Sequence, residues 1–187
     1  MRNFRFQRTE IDDVVIAYPF IAEDDRGYFM KGYEREIFKK NGIDMEVFEV
    51  LQTHSKKGVL RGLHFQEENP QGKLVRVISG MIFDVAVDIR KGSETFGKWV
   101  GLMLDSQKHN MLYVPAGFAH GYLVVSDTAL VDYKCSGPYL PEFDTGIMWN
   151  DVDLEIDWPI HLVEYVILSR KDSKLPSLRQ HMEKQGG

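Results

Sequence analysis

The residues most able to do chemistry are scattered along the chain. They are His64 in GVLRGLHFQ, Lys73 in QGKLVRV, His120 in PAGFAHGYLV, Tyr133 in VDYKC and Asp172 in SRKD. Histidine, with an ordinary pKa near ~6.5, is the side chain best suited to take and return protons at neutral pH. Carboxylates, lysines and tyrosines are its usual partners in acid–base work. Each of these residues also has an ordinary reading. A lone histidine in a strand, as between Leu63 and Phe65, more often packs than catalyses. The same holds for His120, although a Gly-flanked loop entering a strand is a common place for functional groups. Tyr133 reads as strand core, Lys73 as a solvated strand start and Asp172 as a surface charge.

Other charged or aromatic residues have ordinary readings as turn or loop residues. Arg26 lies in DDRGYF, which reads as a turn before a strand, and Tyr139 and Asp144 lie in the loop PYLPEFDTG. Arg61 and His64 are three residues apart, so a regular strand would point them to opposite faces. They share a site only if Gly62 permits a bulge.

A metal centre finds little support. The histidines at 54, 64, 109, 120, 161 and 181 form no His-x-His or His-x-x-x-His pair, and Cys135 has no second cysteine. The single thiol excludes an intramolecular disulfide and fits a reducing compartment. The net charge of -5, from 23 basic and 28 acidic residues, argues against a general nucleic-acid binder. The start MRNFRFQRTE has no apolar signal region, and no apolar run approaches the ~18 residues of a membrane helix. The expectation is a cytoplasmic chain with no membrane or nucleic-acid partner. Its 187 residues suit one domain over 1–187.

The elements that must position these side chains are mostly short strands. YEREIFKK (33–40) reads as a helix, acidic early and basic late, with Gly42 suited to its C-terminus. KLVRVI (73–78), MIFDVAVDIR (81–90), WVGLML (99–104), MLYV (111–114), GYLVV (121–125) and ALVDYKC (129–135) read as strands. Turn signals separate them: NPQG, KGS, DSQ, PAG and SD. The Ser79-Gly80 junction predicts a hairpin. This spacing predicts an all-β fold, taken as a jelly-roll β-barrel with the helix and C-terminal tail outside. In the 81–90 strand the odd positions are apolar, while the even ones include Asp84, Asp88 and Arg90. That even face meets either solvent or a polar cavity.

Taken together, the segments DDRGYF (24–29), KKGVLRGLHFQ (56–66), QGKLVRVISG (71–80), DVAVDIRKGSETFGKWVG (84–101), LYVPAGFAHGYLV (112–124), DYKCSGPY (132–139), GIMWND (146–151), IDWP (156–159) and LSRKD (168–172) carry a resemblance across nearly the whole chain. The sequence resembles the dTDP-4-dehydrorhamnose 3,5-epimerase family. That resemblance implies a cupin-like jelly-roll barrel, a homodimer, no metal and no cofactor. It also implies roles: His64 as base, Asp172 as its carboxylate, Tyr133 on the opposite face of the sugar and Lys73 near the ketone oxygen. Arg61, His120 and Lys171 match substrate and phosphate positions. Arg26, Phe29, Tyr139 and Asp144 match nucleotide-side positions. Lys31 and Asp84 join the substrate-binding candidates. Lys31 stands where the family often has glutamate. Glu49, Leu51 and Thr53 stand where many members have a Gln-x-Asn-x-Ser stretch, near the nucleotide end.

The implied activity inverts C3 and C5 of a dTDP-linked 4-keto-6-deoxyhexose, a step in making deoxysugars for cell-surface polymers. The 4-keto group lets either carbon lose a proton, because the carbanion rests on oxygen as an enolate. Such chemistry needs a base, a carboxylate to steady it, a cation for the oxyanion and a donor on the other face. The departures at Lys31, Glu49 and Leu51 keep two alternatives open: inversion of one centre only, or a CDP- or GDP-linked sugar. A non-catalytic sugar-binding barrel is the third reading.

Overall fold

The computed structural model describes residues 3–185. Its strands are β1 (Arg5–Arg8), β2 (Val15–Tyr18), β3 (Phe20–Asp24), β4 (Gly27–Lys31), β5 (Glu49–Lys56), β6 (Leu60–Gln66), β7 (Lys73–Ser79), β8 (Met81–Asp88), β9 (Trp99–Asp105), β10 (Met111–Val114), β11 (Phe118–Val124), β12 (Thr128–Cys135) and β13 (Asp144–Gly146). Two helices, α1 (Arg35–Lys40) and α2 (Leu178–Gln185), complete the set with two short 3-10 turns. A six-stranded sheet runs β1-β2-β10-β7-β12-β5, a five-stranded sheet runs β13-β6-β11-β8-β9, and β3 pairs with β4 alone. The fold is the jelly roll expected from the strand spacing.

Alternation explains how the two sheets close on one another. On β12, Ala129, Val131, Tyr133 and Cys135 point inward and pack with Val75 and Val77 of β7 and Ile82 and Ala86 of β8. The odd residues of β8, Val85 and Val87, point the other way, into a second core beneath Trp158, Leu154 and Leu178 of the C-terminal tail. The even face of β8 therefore meets the barrel interior rather than solvent. A third cluster forms where α1 covers the outside of the six-stranded sheet, with Phe38 fully buried against Val15, Ala17 and Leu74.

Two expectations are corrected. The Ser79-Gly80 junction is no hairpin: β7 pairs with β10 and β12, whereas β8 pairs with β11 and β9. Gly80, at φ +88°, turns the chain from one sheet to the other, and a Cβ there would meet the Thr128 carbonyl oxygen at 2.1 Å. Helix α1 begins at Arg35 rather than Tyr33, because Glu34 is extended. The Tyr33 hydroxyl is instead donated to the Met45 carbonyl, with its ring 4.7 Å from Phe38.

The parity problem of Arg61 and His64 resolves as a bulge. Across β6 and β11, His120 pairs with His64 and Tyr122 with Arg61, so three steps on β6 oppose two on β11. The extra residue sits at Gly62, whose φ is +123° and whose peptide to Leu63 is cis. A Cβ at Gly62 would lie 2.5 Å from Gly121 Cα and 2.7 Å from the His120 carbonyl oxygen. Gly62→Ala is therefore expected to lower stability by about 1–3 kcal/mol, read as a fall in the urea midpoint. An unchanged midpoint would mean that β6 and β11 can part without cost.

Candidate active site

The bulge turns Arg61 and His64 inward together, and facing strands supply the rest. A cavity of about 270 Å³ inside the barrel is lined by Arg61, His64, Lys73, His120, Tyr133, Tyr139 and Asp144 among others. His64, His120 and Tyr122 come from the five-stranded sheet. Lys73, Tyr133, Thr53 and Cys135 come from the six-stranded sheet that faces it. His64 and Tyr133 thus stand on opposing walls.

His64 is held by a residue 108 positions away. Its Nε2 lies 2.7 Å from Asp172 Oδ1. The tail brings Asp172 there by pairing along β6: Ile167 N–H donates to the Gly58 carbonyl, and Leu60 N–H donates to the Ile167 carbonyl. A 3-10 turn at Asp172–Lys174 follows, with Asp172 N–H donating to Ser169 Oγ at 3.0 Å. Asp172 is no surface charge, since its side chain is 4% exposed against 30% for His64. Burial alone would raise the Asp172 pKa. Hydrogen bonds with His64, Ser169 and the Gly62 backbone outweigh it and hold the carboxyl below its ordinary value. An ionised Asp172 accepts from Nε2–H, which leaves Nδ1 as the basic nitrogen.

The other wall carries the acid and the cation. Burial pushes the Tyr133 phenol well above its ordinary pKa, so it stays protonated and able to donate. Lys73, paired across the ladder with Cys135, is half-buried rather than solvated. Burial pushes its amine pKa down, with Cys135, Asp144 and Asp84 opposing that shift. The Cys135 thiol is pushed up to about 11 by burial and remains a thiol.

At the mouth, Lys171 Nζ donates to Asp144 Oδ2 at 2.5 Å, and the Tyr139 hydroxyl donates to the same oxygen at 2.9 Å. Gln71 lines the wall nearby and donates to Glu49 Oε1 at 3.1 Å.

Several expectations change. Asp84 does not line the cavity: it is fully buried, and His120 Nε2 lies 2.8 Å from its Oδ1. It supports His120 from behind. His120 itself sits inside β11, not in a loop before it. Arg26, Phe29 and Lys31 lie apart from the cavity, on the outlying β3–β4 hairpin. There Arg26 pairs with Asp24 at 2.6 Å while 90% exposed, Lys31 pairs with Glu34 at 2.7 Å, and Phe29 is 63% exposed. Tyr122, Gln71 and Cys135 line the cavity but were not singled out from the sequence. Parity could have found two of them, since Tyr122 follows His120 by two on one strand and Cys135 follows Tyr133 by two on another. Among the described residues, no group of three or more His, Cys, Asp or Glu side chains is placed to hold a metal. No helix among them is long and apolar enough to cross a membrane.

A jelly roll that sets an imidazole–carboxylate pair against a phenol, with an amine beside them, has the makings of a sugar epimerase, an isomerase that moves protons at carbon. Comparison with known proteins agrees. The chain belongs to the dTDP-4-dehydrorhamnose 3,5-epimerase family, whose pattern matches residues 8–180. It is 48% identical over 181 residues to the dTDP-4-dehydrorhamnose 3,5-epimerase of Methanothermobacter thermautotrophicus, covering 97% of this chain and 98% of that one. Among solved structures it is similar to the dTDP-6-deoxy-D-glucose-3,5-epimerase of Legionella pneumophila in complex with dTDP-4-keto-L-rhamnose. That match has a TM-score of 0.91 and 43% identity, covering 95% of this chain and 94% of that one. It is also similar to a 3'-monoepimerase from Streptomyces bikiniensis in complex with dTDP-quinovose, with a TM-score of 0.86 and 32% identity over 96% and 90% of the two chains.

Proposed function

We propose that the protein inverts C3 and C5 of dTDP-4-keto-6-deoxyglucose to give dTDP-4-keto-L-rhamnose, a precursor of cell-surface deoxysugars. The observation that carries this reading is the His64–Asp172 pair on one wall of a cavity whose opposite wall presents Tyr133. His64 Nδ1 takes the proton from carbon, and Asp172 stabilises the imidazolium. Lys73 meets the enolate oxygen, and the Tyr133 hydroxyl returns a proton on the other face. The electron pair released at carbon rests on the former ketone oxygen and returns to carbon with the new proton. No redox step occurs.

Arg61 and His120 meet the substrate along the same wall, and Lys171, Tyr139 and Asp144 stand where the diphosphate and nucleoside leave the barrel. The cavity, about 270 Å³, is small beside the roughly 300–1,000 Å³ of typical ligand sites. It suits a sugar ring, with the nucleotide outside. A second copy of the chain completes that outer part. The exposed Arg26 and Phe29 on the lone β3–β4 hairpin offer a guanidinium for phosphate and a ring for base stacking. Strand β5 forms an open sheet edge, with Val50 exposed on it and Phe48 exposed just before it. The buried, protonated Cys135 thiol suits a reducing, cytoplasmic setting.

The direct test is incubation with dTDP-4-keto-6-deoxyglucose in D2O, followed by NMR at C3 and C5. Deuterium incorporation with inversion at both carbons is expected. Inversion at one carbon only would favour a mono-epimerase, and no exchange at either would remove the epimerase reading.

Lys73 adds a pH signature. An ammonium is needed to meet the oxyanion, and burial has lowered its pKa. The charge should therefore be lost, and kcat/KM should fall, at a pH below the ordinary lysine value of ~10.4. Lys73→Arg, whose guanidinium stays charged, should move that alkaline limb upward. A limb that stays in place would assign it to another group.

A further inference from the structure

Each inversion leaves a charge behind on the donor. As the new C–H bond forms, the Tyr133 O–H bond breaks and its electron pair stays on the phenol oxygen. The substrate proton remains on His64, so the site keeps its net charge, but a phenolate now stands in a buried wall. What surrounds that oxygen decides how readily the proton leaves. Thr53 Oγ1 lies 3.4 Å from the Tyr133 hydroxyl and 2.8 Å from the Tyr122 hydroxyl. Thr53 comes from β5 and Tyr122 from β11, so this chain of hydroxyls spans the two facing sheets. Tyr122 is only 1% exposed and cannot swing away to solvent.

We propose that Thr53 and Tyr122 are positioning residues that act through Tyr133: the chain Tyr122–Thr53–Tyr133 closes onto the phenol oxygen as it gives up its proton, and so sets how often the enolate is protonated on the new face. This rests on the epimerase reading above. At 3.4 Å the resting Thr53–Tyr133 contact is at the long end of hydrogen bonding and holds the neutral phenol weakly. Once the oxygen is negative, the Thr53 hydroxyl donates to it in a shorter, charge-assisted bond. The Tyr122 hydroxyl then donates to Thr53. The hydroxyl hydrogens turn, and the Thr53 and Tyr133 oxygens draw closer together than their resting 3.4 Å. The interaction is stronger in the transition state than before it, which is the condition for accelerating the step. Proton removal by His64, on the opposite wall, does not draw on it.

The ratio of deuterium exchange with retention to exchange with inversion isolates this step. A purely structural loss lowers both outcomes together and leaves the ratio alone. Tyr122→Phe and Thr53→Val each delete a hydroxyl while keeping the bulk. With dTDP-4-keto-6-deoxyglucose in D2O, Tyr122→Phe should raise the retention-to-inversion ratio about tenfold, the order of one neutral hydrogen bond. Thr53→Val should raise it by about 10²-fold, as for loss of a donor to a developing oxyanion. The double variant should exceed Thr53→Val by much less than the factor for Tyr122→Phe alone, because Tyr122 acts chiefly through Thr53 and only secondarily on Tyr133 directly. Unchanged ratios in both single variants, or effects that multiply in the double variant, would overturn the proposal while leaving the epimerase reading intact. A wild-type protein that exchanges neither carbon would overturn both.

Discussion

The His64→Asn protein is expected to incorporate no measurable solvent deuterium at C3 or C5 of dTDP-4-keto-6-deoxyglucose. One imidazole serves both carbons, since both flank the same ketone and only one wall presents the His64–Asp172 pair. Removal of a general base typically costs about 10²–10⁴-fold, and exchange reports that step before any stereochemical outcome is decided. Asparagine is the better replacement because its amide can still donate to Asp172. Alanine would strand a carboxylate whose side chain is only 4% exposed. His64→Ala should show the same loss of exchange together with a lower unfolding midpoint. Residual exchange at a substantial rate would move the base to His120, the imidazole paired directly across the ladder from His64.

Tyr133→Phe should separate what His64→Asn abolishes together. The ring still fills its place in the wall, so the enolate forms and His64 can hand its proton, or a deuteron acquired from solvent, back to the original face. Exchange should persist while inversion falls by about 10²-fold or more. Burial keeps the phenol protonated until the reaction calls on it, so the missing group is a donor rather than a standing charge. Equal loss of exchange and inversion would place Tyr133 in enolate formation instead. Unchanged inversion would remove it from the mechanism.

Much of the barrel could be read from the strand alternation, because one face of each strand is buried. MLYV (111–114) is found with the bounds expected, and the strands beginning at Lys73, Met81 and Trp99 start where the pattern starts. The hairpin expected at Ser79-Gly80 failed because a glycine with positive φ serves a turn within a sheet and a corner between sheets equally well. The identity of the pairing strand is a long-range fact that the dipeptide does not carry. The turn before a strand read at DDRGYF is found between β3 and β4, whereas β1, β2 and β3 lie outside the segments whose pattern predicts strands, and the exposed Tyr28 and Phe29 show how little alternation packing imposes on the hairpin. At the site, the residue types were visible in the pattern, but their meeting was implied only by the family resemblance and, for Arg61, by the bulge that Gly62 could permit. His64 and Asp172 come together only through the tail's pairing along β6. Arg61 joins them only through a bulge that strict parity forbids. The burial of Asp84 behind His120 could not be separated from an exposed cavity position, since both lie on the same face of β8.

Every residue of β11 is buried, and the strand is flanked on both edges by β6 and β8. Its amide hydrogens can therefore meet water only when the barrel itself opens, whereas the β3–β4 hairpin, paired with nothing else, can open alone. The hairpin is expected to open before the barrel does. Warming or mild denaturant is expected to expose the amides of the outer arm while His64 and His120 keep their places, which hydrogen exchange would show as two separate openings.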